Sequence, residues 1–235
     1  MGLADLHIHT LYSHDGTCSV PAVLKYAAEQ TELDVIAITD HDNLEGALEA
    51  EQLAPAYGIE VIPGCEITTA EGHLLALFIR RPVPAGLPLL ETVRRVGEQG
   101  GLCIAAHPGA RGTHSLSLPS VYRVMQHPEG REVLVGIETT NTGQLDQASG
   151  WAARAMADVF QITQVGCSDA HLLWMIGTGA TVFPGRGAAG LRQALENGET
   201  EPVSTGRLSR LRLAGGFLSS YLLRRAGAAG STGAV

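Results

Sequence analysis

The stretch "DLHIHTLYSHDG", residues 5 to 16, places three histidines and two aspartates around an otherwise apolar start. Imidazoles and carboxylates at this density are the donor set favoured by Zn, Mn or Fe, and the lack of a cysteine cluster argues against a structural zinc knot. His7 and His9 stand two apart, so an extended segment turns both to one face. The same chemistry recurs in "AITDHD" (Asp40, His41), "IPGCEIT" (Glu66), "LCIAAHPG" (His107), "GIETTN" (Glu138) and "GCSDAH" (Asp169, His171), and His73 adds another imidazole. Taken singly, each fragment has an ordinary reading. "TDHD" fits a helix N-cap through Asp42 or Asn43, "AHPG" a strand running into a turn, and Glu138 a polar strand end. Their joint recurrence behind successive apolar runs favours the metal reading.

Those runs are the elements that must position the donors. Strands are predicted at residues 3–7, 34–39, 59–65, 73–79, 102–106, 133–137 and 162–167. Helical patterns fall between them. Ser19 and Pro21 open one that reaches Gln30, and Asn43 caps another that runs to Tyr57. Residues 88–99, 119–126, 145–161 and 188–197 supply four more, with Gly100, Gly130 and Gly198 as stops. Strand followed by helix, repeated, predicts an α/β fold with a parallel sheet, and at this length a closed barrel is favoured over an open one. The run at 73–79 follows its predecessor after a short turn and reads as a hairpin, which brings His73 beside Glu66. Strand ends of a barrel share the rim where barrel active sites lie, so the scattered donors converge there as one polynuclear site.

The bulk composition bounds the rest. No stretch approaches the roughly 18 unbroken apolar residues of a membrane span, and the start does not resemble a secretory signal. The four cysteines, Cys18, Cys65, Cys103 and Cys167, are far apart and read as reduced, buried thiols of a cytoplasmic protein. The net charge is −8, yet the five arginines from Arg207 to Arg225 all follow the last acidic residue, Glu201. Residues 1–206 therefore hold 11 basic against 24 acidic groups. Such a body repels a phosphate backbone unless cations are added, so no stable nucleic-acid complex is expected. The chain divides into a barrel over residues 1–205 and a basic extension over 206–235. The extension's leucines suit packing on the barrel or on a second subunit, which leaves a homo-oligomer open.

Together these motifs resemble the PHP domain, the polymerase and histidinol phosphatase family. "DLHIHTLYSHDG", "TDHD", "AHPG" and "GCSDAH" are similar to its four motifs, and the similarity runs from about residue 3 to 205. The resemblance implies a distorted seven-stranded (β/α) barrel of TIM-like form with two or three divalent metal ions. It implies that His7, His9, Glu66 and Asp169 hold one ion, that Glu66 bridges to a second held by His73 and His107, and that Asp15, His41 and His171 hold the third. Asp40, Glu138 and Asn141 are expected to support these ligands or border the substrate.

The activity implied is hydrolysis of phosphate monoesters of a small metabolite or nucleotide, with a hydroxide bridging the ions as nucleophile. Arg111 is a candidate phosphate contact through its planar fork, and His14 a candidate acid for the leaving group. His114 and His127 read as solvent-facing. A metal-dependent amidohydrolase keeps the same donors and changes the bond, and a non-catalytic metal-binding module keeps the fold alone.

Overall fold

The computed structural model describes residues 1–111, 113–144 and 149–205. Its nine strands are β1 (Gly2–Asp5), β2 (Val35–Ile38), β3 (Glu60–Thr68), β4 (His73–Leu77), β5 (Leu102–Ala105), β6 (Leu134–Asn141), β7 (Thr163–Cys167), β8 (Gly179–Phe183) and β9 (Glu201–Ser204). The helices are α1 (Val20–Gln30), α2 (Glu45–Leu53), α3 (Leu89–Gly97), α4 (Leu118–Met125), α5 (Pro128–Val133), α6 (Ser149–Phe160) and α7 (Gly187–Asn197). One sheet runs in the order β7-β6-β5-β4-β3-β2-β1-β8-β9. β1, β2 and β3 are parallel neighbours, as are β5, β6 and β7. β4 and β8 run against both of their neighbours.

Local chemistry sets the element ends. The Ser19 hydroxyl accepts the Ala22 N–H at the start of α1, and the Ser117 hydroxyl does the same for Ser120 in α4. α7 stops at Gly198, whose φ of 73° is left-handed and suits a glycine. Along β4 the side chains alternate between two cores. Leu74 and Ala76 join the outer core under the helices, with Val23 and Leu24 of α1 and Val93 and Val96 of α3. Leu75 and Leu77 face the inner core, with Leu6, Val35, Ile62, Ile104 and Val165. Leu191, Ala194 and Leu195 of α7 belong to that inner core, so α7 stoppers the barrel beneath the sheet. Burying one such leucine contributes about 1.5–3 kcal/mol.

The β7 end of the sheet closes against β8, the strand next to the other end, without a ladder. Gly166 of β7 donates its N–H to the Thr181 hydroxyl of β8 at 3.0 Å, and that hydroxyl donates to the Gly166 carbonyl at 2.8 Å. A Cβ at Gly166 would strike the Ala180 carbonyl, and one at Gly179 the Cys167 carbonyl, so the close seam requires glycine at both. Above the seam, Ile8 and Ala170 form a parallel bridge through His9 N–H to Ala170 O (2.9 Å) and Ala170 N–H to His7 O (3.1 Å). The sheet is thus a nearly closed barrel.

All seven expected strands are present. β8 and β9 are additional, and the sequence pattern missed them because each is short and contains a glycine or proline. Gly130 does not stop a helix; it lies inside α5, where a Cβ would strike the Val124 carbonyl. Among the described residues no helix is long and apolar enough to cross a membrane. The basic extension over 206–235 lies outside the described residues.

Candidate metal centre

Every donor-bearing fragment of the sequence emerges at one end of the barrel, and Glu66 is the point around which they gather. It lies near the end of β3 and is 1% exposed, so it can bind only what the protein brings to it. Its Oε2 lies 3.1 Å from His7 Nε2, 3.4 Å from His9 Nε2 and 3.2 Å from His41 Nδ1. Its Oε1 lies 3.0 Å from His73 Nδ1 and 3.1 Å from His107 Nε2. The β3–β4 hairpin makes the His73 contact by pairing Thr68 with His73. A bridge between His41 and Glu66 extends the β2–β3 ladder above the rim.

Asp169 Oδ1 sits 3.4 Å from His7 Nε2 and 3.3 Å from His9 Nε2, on the side that the Ile8–Ala170 bridge draws in. Asp15 Oδ2 completes the other flank, 3.1 Å from His171 Nε2 and 3.4 Å from His41 Nε2. Donor atoms within 4.8 Å of one another form four overlapping groups: His9, Asp15, His41 and His171; His7, His9 and Glu66; His7, His107 and Asp169; and His41, Glu66 and His73. The first contains the whole expected third set and adds His9. The expected first set is divided between the second and third groups, and the expected second set is divided too, His73 falling with Glu66 and His41, and His107 with His7 and Asp169.

These residues fit divalent cations on an observation of their own. His7 Nε2, His9 Nε2, Asp15 Oδ1 and His41 Nδ1 are buried polar atoms that make no well-directed hydrogen bond, although the three nitrogens lie within 3.4 Å of carboxylate oxygens. Orphaned buried groups of this kind are costly, and four in one cluster of donors is what a cation would satisfy. The electrostatics agree. Burial alone would raise the Glu66 and Asp169 carboxyls, but His7 and the neighbouring imidazoles hold both well below the usual range. Burial opposes charge on His171, and Asp15 and Asp169 outweigh it to push that imidazole up to about 9. His9, desolvated and facing His171, is pushed down to about 4, a neutral donor at pH 7.

A layer of hydrogen bonds turns four of the rings. His7 Nδ1 lies 2.8 Å from Glu138 Oε1, which leaves Nε2 aimed at the cluster. His9 Nδ1 is 2.9 Å from the Ser13 hydroxyl, His107 Nδ1 is 2.7 Å from the Ser115 hydroxyl, and His171 Nδ1 donates to the Asp169 carbonyl at 2.9 Å. Glu138 Oε2 also accepts the His107 N–H (2.7 Å) and the Asn141 amide (2.9 Å), and Asn141 reaches Asp169 at 3.4 Å. Asp40 does not hold His41 directly. It accepts the Thr10 N–H and hydroxyl, and it reaches His41 through Ser13, whose oxygen accepts the His41 N–H at 2.8 Å. His107 and Asp169 have φ of 29° and 52°, left-handed backbone that non-glycine residues rarely adopt. Such strain collects where surrounding contacts hold side chains for function.

The cluster floors an open cavity of about 560 Å³ whose walls include His14, Arg111, Thr113, His114 and Gln144. His14 is exposed, 3.8 Å from Asp15 Oδ2, and Arg111 stands at the same mouth. His127 is exposed at the start of α5, away from this cavity. His114 is exposed, as expected, and is also held in place. Its Nε2 lies 3.2 Å from the Thr69 carbonyl and its ring centre 5.3 Å from that of His73. Sequence reasoning also passed over Ser13, Thr113, Ser115 and Gln144. Only Ser13, four residues from His9 inside a motif, carried a signal that could have found it. Cys65 and Cys167 are buried thiols that burial pushes up, which suits packing.

Comparison with known proteins agrees with this geometry. Residues 5–82 match the model of the PHP domain, and residues 151–200 match that of a PHP-associated region. An uncharacterized protein of Methanocaldococcus jannaschii is 40% identical over 114 residues, which cover 45% of this chain and 67% of that one. A 5'-3' exoribonuclease of Haemophilus influenzae is 37% identical over 99 residues, 40% of this chain and 35% of its own length. Among solved structures, a two-domain protein of Bacteroides vulgatus containing a predicted PHP-like metal-dependent phosphoesterase superposes with a TM-score of 0.70 at 22% identity, over 93% of this chain and 69% of that one. With its motif side chains gathered at one barrel mouth and both models matched, the chain belongs to the PHP domain family.

Proposed function

We propose that this chain is a metal-dependent phosphoesterase that hydrolyses phosphate monoesters of a small phosphorylated metabolite or nucleotide. The observation that carries the reading is the convergence of five imidazoles on the two oxygens of buried Glu66, at the floor of an open cavity. Two or three divalent ions, of Zn, Mn or Fe, would supply water of lowered pKa and neutralise charge on the phosphoryl oxygens.

The ligands proposed are His7, His9, Asp15, His41, Glu66, His73, His107, Asp169 and His171. Glu66 is placed to be shared, since one oxygen faces His7, His9 and His41 and the other faces His73 and His107. Glu138, Ser13 and Ser115 orient rings, while Asn141 ties Glu138 to Asp169. Arg111 at the mouth is suited to fork onto phosphoryl oxygens. His14, exposed beside Asp15, is suited to hand a proton to the departing oxygen.

The test is hydrolysis of p-nitrophenyl phosphate after chelation and reconstitution with Mn, Fe or Zn in turn. Metal-dependent phosphate release, lost in a folded Asp169→Ala variant, is expected. Ion binding without phosphate release from this or any of a panel of sugar phosphates and nucleotides would overturn the reading, and turnover of amides alone would replace it with an amidohydrolase.

A further inference from the structure

The loop between β5 and α4 does more than connect them. Of three consecutive residues, His114 and Ser115 touch His73 and His107 on the Glu66 side of the cluster, and Thr113 holds Ser115. The Ser115 hydroxyl lies 2.7 Å from His107 Nδ1 and 2.6 Å from the Thr113 hydroxyl, and the Ser115 N–H donates to the Thr113 carbonyl at 2.8 Å. The His114 carbonyl accepts the His73 N–H at 2.8 Å, so the loop runs as an extra rung beside the β3–β4 turn. That turn admits it only because Gly72 has no side chain. A Cβ there would lie 2.5 Å from the Leu116 nitrogen and 2.6 Å from the Ser115 carbonyl carbon. His114 then anchors the loop through Thr69 and packs its ring by His73.

A histidine offers Nε2 to a cation when Nδ1 carries the proton, and an acceptor fixed at Nδ1 selects that form. Glu138 does this for His7, whereas His107 depends on Ser115. The Ser115 hydroxyl becomes that acceptor when its own proton is given to the Thr113 hydroxyl, 2.6 Å away. We propose that Ser115, braced by Thr113, is the positioning residue of the cation subsite at Glu66 Oε1, which faces His73 Nδ1 and His107 Nε2. The loop thereby controls occupancy of that subsite separately from the one on the Asp15 and His171 side. The proposal rests on the reading of the cluster as a metal centre.

The experiment is titration of the chelated full chain with Mn and with Zn, read by calorimetry and by metal content after gel filtration. Ser115→Ala and Thr113→Val are each compared with the parent and with Ser115→Thr. The expected result for Ser115→Ala is an affinity about 10- to 100-fold weaker for one ion only. The other ion and the melting temperature of the metal-free protein should be unchanged. Thr113→Val is expected to weaken the same ion to a smaller degree, and Ser115→Thr, which keeps the hydroxyl, to restore it. Equal binding by parent and Ser115→Ala, an equal loss at every ion, or no rescue by threonine would overturn the proposal. A parent chain that binds no divalent ion would instead remove the metal reading beneath it.

Discussion

Glu138 Oε1 lies 2.8 Å from His7 Nδ1, with both side chains fully buried. The same carboxylate uses Oε2 to receive the His107 N–H at 2.7 Å and the Asn141 amide at 2.9 Å. One side chain in β6 therefore fixes a ring just past β1 and a left-handed backbone after β5.

Replacing Glu138 by glutamine keeps the shape and swaps an acceptor for a donor. One end of the amide must then oppose the His107 N–H, the Asn141 amide or the His7 Nδ1–H. Divalent-ion affinity is expected to fall about 10- to 100-fold while the far-ultraviolet dichroism of the barrel persists. An unchanged affinity by calorimetry would mean that Glu138 does not orient His7.

Barrel closure at the β7–β8 seam depends on the missing side chain of Gly166. Gly166→Ala drives a methyl into the Ala180 carbonyl and is expected to cost at least about 3 kcal/mol in urea unfolding. Gly58→Ala serves as the control. Its φ of 73° is unfavourable to alanine, but nothing lies within 4 Å, so about 1 kcal/mol is expected. Equal losses at the two positions would refute the close seam.

Asp5, fully buried, accepts the Gly177 N–H at 2.8 Å and the Ser168 N–H at 3.0 Å, and so ties β1 to the chain leaving β7. Asp5→Ala strands these two buried N–H groups at a cost of about 1–3 kcal/mol each, and releases the longer His7 N–H contact at 3.5 Å. A loss near 3 kcal/mol in urea unfolding of the metal-free protein is expected, and a loss below 1 kcal/mol would show that water replaces the carboxylate.

Cys65, Cys103 and Cys167 are buried and burial pushes each thiol up, whereas Cys18 is half-buried. Iodoacetamide at pH 8 is expected to label Cys18 alone in the native protein and all four cysteines in urea, as read by mass spectrometry. Rapid native labelling of Cys65 or Cys167 would contradict their packed environment.

The donors themselves were legible because metal chemistry restricts residue type: His7, His9, His41, His107, Asp169 and His171 stand out by type and spacing, each just past an apolar run. The hairpin that turns His73 toward Glu66 was legible too, from the short spacing of two strands. β8 and β9 were not, since short strands with glycine or proline carry little periodic signal and gain their stability from the neighbours that pair with them.

Sequence alone determined which atoms can bind a cation and that they sit at strand ends, because both follow from residue chemistry and local periodicity. Tertiary structure decided which nitrogen of His7, His9 and His107 faces the cluster, through Glu138, Ser13 and Ser115. It also brought His9 to the Asp15 and His171 group and His114 to the wall of the cavity. Those outcomes depend on contacts between residues far apart in the chain, and hydrogen bonds across a closed barrel leave no trace in the spacing of a single strand.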